Sequence, residues 1–149
     1  MNVLYLSGNS NQGKSTVIKQ SIFDLIDTEE FELLWMYRKD AGALEDIKTN
    51  PLTASGNVRD IKMALKRKDG KIFLVTSVGD DISTIKNTFE MLKRHAGYVP
   101  YAFVCACHPN STSEQWLCQL AKNRPKSIVR KDYADDQLIR YLKQSICSL

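Results

Sequence analysis

The spacing of apolar residues changes along this chain, and each change marks an element. Residues 2–6 hold the compact run Val3, Leu4, Tyr5 and Leu6, which has the length of a strand. After Lys14, Ile18, Ile22, Leu25 and Ile26 fall three and four apart, the spacing of one helix face, and the pattern ends near Asp27 and Thr28. Residues 31–37, Phe-Glu-Leu-Leu-Trp-Met-Tyr, read as a second strand closing in Arg38, Lys39 and Asp40. Gly42, Asn50-Pro51 and Ser55-Gly56 punctuate residues 41–56, which are expected to be loop with at most a helical turn at residues 44–47. Asn57 then stands as the N-cap of a helix with Val58, Ile61 and Leu65 on one face. Its outer face and end carry Lys62, Lys66, Arg67 and Lys68, and Gly70 stops it.

Residues 71–77 form a continuous apolar run of the kind that parallel sheets bury on both faces. Asp80 and Asp81 follow, and Asp81 can cap a helix carrying Ile82, Ile85, Phe89 and Leu92. Residues 101–106 make a fourth strand, and after Cys107, His108, Pro109 and Asn110 the pair Ser111-x-x-Glu114 has capping-box spacing ahead of a helix with Trp116, Leu117 and Leu120. Residues 127–130 read as a short edge strand, and Leu138, Leu142 and Ile146 face inward from a closing helix. Strands alternating with helices predict an α/β fold, a three-layer αβα sandwich around a mainly parallel five-stranded sheet.

Composition adds bounds. The 149 residues suit one domain, residues 1–149, and 43% hydrophobic with 26% charged residues is globular rather than disordered composition. Twenty-one basic against seventeen acidic residues give a net charge of +4, weak support for nucleic acid as a partner. Residues 1–6 are too short for a secretory apolar segment, so a cytoplasmic location is expected. No apolar run is long enough to span a bilayer, so no membrane association is expected. Cys105 and Cys107 sit two apart on the fourth strand, which turns both to one face. That spacing, with no second pair, points to buried thiols and not to zinc.

The first strand runs into Gly8-Asn9-Ser10-Asn11-Gln12-Gly13-Lys14-Ser15-Thr16, a Gly-x-x-x-x-Gly-Lys-Ser pattern at a strand-to-helix junction. Glycines let successive backbone N–H groups curl around one anion, and the helix that follows adds its positive end. Lys14 can supply a charge for terminal phosphates, and the Ser15 hydroxyl a ligand for Mg²⁺. These residues resemble the Walker A motif of the P-loop NTPase superfamily. The resemblance covers about the first thirty residues and implies a nucleoside triphosphate with Mg²⁺. It further suggests the strand order 2-3-1-4-5, with the loop at a switch point of the sheet.

In an open parallel sheet, ligands sit outside the carboxyl ends of the strands. P-loop proteins carry an acidic Mg²⁺-shell residue at the end of the third strand, where this chain has Thr76-Ser77. Asp80 is the nearest functional candidate for the metal and for catalysis, while Asp81 serves equally as a metal-shell residue or as a plain N-cap. Asp40 and Arg38 stand where small P-loop kinases hold an acceptor; alternatively they are a solvated charge cluster. His108 is a titratable group at the mouth of the site or a polar turn residue. In the basic run Arg124, Lys126, Arg130 and Lys131, Arg124 is the candidate for the nucleotide, against a role in solubility for the whole run. ATP is the default nucleotide by elimination, since the signatures of regulatory GTPases are missing.

Two functions follow from these readings. One is a small Mg²⁺-dependent NTPase or phosphotransferase using Lys14, Asp80 and Asp40, with an acceptor substrate if it is a kinase. The other is a nucleotide-binding regulatory module with slow or no turnover, in which occupancy orders residues 41–56 and so controls a protein partner.

Overall fold

The computed structural model of the chain describes residues 1–9, 13–38, 44–45, 61–79, 81–96 and 99–149. In chain order the elements are β1 (Asn2–Ser7), α1 (Lys14–Asp27), β2 (Phe31–Arg38), β3 (Leu44–Glu45), β4 (Ile61–Arg67), β5 (Ile72–Thr76), α2 (Ile82–Ala96), β6 (Ala102–Cys107), α3 (Thr112–Leu120), β7 (Lys126–Val129) and α4 (Asp135–Cys147). The strands form one sheet in the order β3-β2-β4-β5-β6-β1-β7. Neighbours among β5, β6, β1 and β7 are parallel, whereas β4 is antiparallel to both β2 and β5, and β3 to β2.

The fold is therefore α/β, as the alternation of periods predicts, but two features of the expectation are corrected. The sheet is mixed and has seven strands among the described residues, not five mainly parallel ones. The strand of residues 102–107 lies between β5 and β1, so the expected order 2-3-1-4-5 is replaced by one in which β6 and β7 flank β1.

The extra strand β4 is the segment expected to be a helix from Asn57. Ile61 and Leu65 share a face at a spacing of four, which suits a helix and a strand equally well. Met63 decides between the two: on a helix it would point away from both, and on a strand it joins them. All three are fully buried in one core cluster, while Lys62 is half-buried and Lys66 exposed. Gly70 does not stop a helix; it sits in the turn between the antiparallel pair β4 and β5. The helical turn expected at residues 44–47 begins instead with the two residues of β3.

Alternation along the strands divides the core into two layers. Leu4, Leu6, Phe73, Val75 and Val104 face α1 and α4, meeting Ile18, Ile22, Leu138, Leu142 and Ile146. Val3, Tyr5, Leu74, Phe103 and Cys105 face α2 and α3, meeting Ile85, Phe89, Leu92 and Leu117. Full burial of one such side chain contributes about 1.5–3 kcal/mol. Trp116 belongs to this second layer, its ring edge-on to Phe89 at 5.7 Å. Arg67, at the end of β4, lies over Phe73 and Tyr101 and donates from Nη1 to the carbonyls of Cys147 (3.2 Å) and Leu149 (3.1 Å), tying the hairpin to the end of α4.

These layers place the switch point. The chain leaves β1 through α1 on one face and crosses toward β2, whereas it leaves β6 through α3 on the opposite face and crosses toward β7. The two connections diverge above the carboxyl ends of β1 and β6, which opens the crevice where ligands of such sheets sit.

Candidate phosphate-binding site

Gly8, Asn9, Gly13 and Lys14 stand at that crevice, between the end of β1 and the start of α1. Gly8 is buried, and its N–H donates to the Cys107 carbonyl at 3.1 Å, pinning the start of the turn to the end of β6. Gly13 precedes α1 with φ +75° and ψ +20°, a left-handed conformation that favours glycine, and its carbonyl accepts the first helical bond from Val17 N–H. Lys14 is only 7% exposed. Its Nζ turns back to donate to the carbonyls of Gly8 (2.6 Å) and Asn9 (2.7 Å), so the first residue of α1 is tied to the end of β1. The first turn of α1 contains no acidic residue, so no carboxylate of its own offsets the positive end of the helix. Ser15 is half-exposed and Thr16 exposed on that turn. Ser10, Asn11 and Gln12 lie outside the described residues.

The end of β6 forms the second wall. Ser111 caps α3: its Oγ accepts from Glu114 N–H at 3.1 Å and donates to the His108 carbonyl at 2.7 Å. Glu114 completes the expected capping box one residue further out, accepting from Asn110 N–H (3.2 Å) with one oxygen and from the Tyr5 hydroxyl (3.0 Å) with the other. Both carboxylate oxygens thus hold structure together. Burial and the Glu114 contact push the Tyr5 hydroxyl well above its ordinary pKa. His108 is half-buried at this wall.

Cys105 and Cys107 are buried, unoxidised and in one core cluster, as their spacing predicts. Burial pushes the Cys107 thiol up to about 11, against the pull of the Ser111 hydroxyl and the Lys14 charge, so it is protonated at neutral pH. Such a thiol is a poor metal ligand and a poor nucleophile.

Comparison of the chain with protein families, with curated proteins and with solved structures finds no match.

At the end of β5 the hydroxyls of Thr76 and Ser77 serve the backbone. Thr76 Oγ1 accepts from Val78 N–H at 3.0 Å, and Ser77 Oγ from Ile61 N–H at 2.9 Å, the latter holding the start of β4. Asp80 lies outside the described residues. Asp81 is the N-cap of α2, its two oxygens taking Thr84 N–H (2.8 Å) and Thr84 Oγ1 (2.7 Å), and these bonds hold its carboxyl below the usual carboxylate range. Of the two roles open to Asp81, the helix cap is the one its geometry fills.

A depressed pKa in the folded state means that the Asp81 contribution is present above the ordinary carboxylate range and lost as pH falls through the folded value. Asp81→Ala is expected to lower Tm by about 2–4 °C at pH 7 and by progressively less as the pH falls below the ordinary carboxylate range. Thermal denaturation of both proteins as a function of pH checks this. A loss of Mg²⁺-dependent binding in the variant would return Asp81 to the metal shell.

The revised strand order moves the other candidates. The carboxyl end of β2, which leads to Arg38 and Asp40, is four strand positions from β1 and not two, a separation of roughly 19 Å at ordinary strand spacing. Asp40 and Lys39 lie outside the described residues, and no described contact brings β2 to the loop. Arg124 is exposed at the amino end of β7, at the opposite end of the parallel strands from the loop.

Arg130, in the same basic run, lies at the carboxyl end of β7, and a β-carbon built on Gly13 would lie 4.0 Å from its Nη2. Among the described residues no three His, Cys, Asp or Glu side chains gather to hold a metal ion, and no helix is long and apolar enough to cross a membrane.

Proposed function

We propose that this chain binds a nucleoside triphosphate with Mg²⁺, gripping the phosphates with the backbone of residues 8–16. The observation that carries the reading is the buried Lys14 ammonium, held by the carbonyls of Gly8 and Asn9 at the mouth of the switch-point crevice. A cation held by two backbone carbonyls at the positive end of a 14-residue helix is prepared for a polyanion. The residues present fit Mg²⁺ as it is bound beside phosphates: Ser15 offers one hydroxyl, and the ion keeps several waters and the ligand's own oxygens. When bound, the ion would neutralise phosphate charge.

For the reaction, hydrolysis or phosphoryl transfer is the leading reading, because Lys14 stands where developing phosphate charge would be stabilised. The engagement of Thr76, Ser77, Asp81 and Glu114 in structural bonds favours the second reading, a binding module with slow or no turnover. Those groups are not aimed at the crevice to activate water.

The test is a panel of nucleotides scored by thermal stabilisation, with and without Mg²⁺. A triphosphate at 100 times its Kd would add about 2.7 kcal/mol, which for a domain of this size raises Tm by about 5–10 °C. Phosphate release from ATP alone then marks an NTPase, and release only with an added acceptor hydroxyl marks a kinase. Binding without turnover, with new amide protection in residues 41–56, marks the regulatory module. No stabilisation by any nucleotide would overturn the proposal.

A further inference from the structure

Arg130 joins three places in the fold. The side chain is only 16% exposed, with Nη2 beside Gly13. Nη1 donates to the Tyr133 carbonyl at 3.0 Å, and Nη2 is paired with the Asp135 carboxylate on the first turn of α4. Asp135 itself is 68% exposed and held at the favourable end of that helix. With Lys14, Arg130 makes a second cation at the loop, and the carboxylate that answers it comes from α4.

We infer that Arg130 is a ligand-facing cation of the phosphate site and that Asp135 competes with the ligand for its charge. The inference rests on the polyphosphate reading of the loop given above. A guanidinium presents five N–H donors in a planar fork, so it can turn from a carboxylate to a phosphate without leaving its seat on the Tyr133 carbonyl. Filling the loop therefore weakens the Arg130–Asp135 pair, and the start of α4 reports occupancy.

Isothermal titration of Mg²⁺ with inorganic triphosphate, and of Mg-ATP, into the wild type and three variants tests this. Arg130→Gln is expected to weaken both ligands about tenfold, the scale of one charge-assisted contact. Asp135→Asn is expected to tighten both about threefold, because the competing anion is removed. In the double variant the Asp135→Asn gain should vanish, since it acts through Arg130. Arg130→Lys should recover part of the lost affinity. A merely structural Arg130 would lower the Tm of the unliganded protein and leave affinity unmoved.

The inference is overturned if Arg130→Gln binds triphosphate as the wild type does, or if Asp135→Asn fails to tighten it. It is also overturned if the Asp135→Asn gain persists undiminished without Arg130, which would mark a general charge effect. Weakened ATP with unchanged inorganic triphosphate would assign Arg130 to the base instead. If the wild type binds neither ligand, the polyphosphate reading itself fails and this inference falls with it.

Discussion

Lys14→Ala is expected to abolish the Tm increase of about 5–10 °C that the proposed binding of saturating Mg-ATP would give the wild type, while lowering the Tm of the unliganded protein by only about 2–4 °C. The two effects differ in origin. In the unliganded protein Lys14 donates to the Gly8 and Asn9 carbonyls, and Asn9 is exposed, so water replaces that bond at little cost. The Gly8 carbonyl, on a buried residue, loses one hydrogen-bond partner, an effect of about 1 kcal/mol. With ligand, the variant loses the single charge that the turn itself carries and must hold several phosphate charges with amides alone. Differential scanning with matched ligand and salt concentrations separates the effects, because the ligand term disappears and the fold term stays small. An undiminished shift in Lys14→Ala would show that the nucleotide binds elsewhere. Asp81→Ala provides the opposite pattern, a lower Tm with an intact shift.

The junction between β1 and α1 was legible in the sequence because two signals of different kinds coincide there. The period changes from strand to helix at the same residues where Gly8, Gly13, Lys14 and Ser15 take the spacing that anion binding requires. The caps of α2 and α3 were legible for a similar reason, since Asp81 and Ser111 each precede an apolar helical face. Residues 61–67 were not, because Ile61 and Leu65 satisfy both periods and only the burial of Met63 separates them. Asp69-Gly70 between two apolar runs is a hairpin signal, and a helix stop uses the same residue type.

Strand order lies further from the local pattern. Periodicity states what each strand buries, not which neighbour it meets. The position of β6 is fixed by its parallel pairing with both β5 and β1, which the helix faces alone do not dictate. That same topology separates Arg124 from Arg130. The two are six residues apart in one basic run, yet the four-residue strand β7 holds them at its opposite ends.

The close approach of β5 and β6 yields the second large effect. Gly79 is buried just past β5, and a β-carbon there would lie 2.6 Å from the Ala106 carbonyl oxygen, 2.7 Å from its carbon and 2.8 Å from the Ala106 β-carbon. Two of these three atoms are backbone in a fully buried central strand, so no side-chain rotation relieves the overlap. Gly79→Ala must push β6 away from β5 or draw the chain after β5 outward. Overpacking of this kind costs about 1–3 kcal/mol, a Tm decrease of about 3–10 °C.

The displacement does not stop at Ala106. The next residue, Cys107, gives its carbonyl to Gly8 N–H, so a shift of β6 is carried to the start of the phosphate turn. Gly79→Ala is therefore expected to weaken nucleotide binding as well as the fold, although residue 79 is two strand positions from β1. Calorimetry below the unfolding transition measures the first effect and thermal denaturation the second. A variant that loses stability but binds nucleotide like the wild type would show that the turn keeps its shape independently of the end of β6. The grip on phosphate would then reside in β1 and α1 alone.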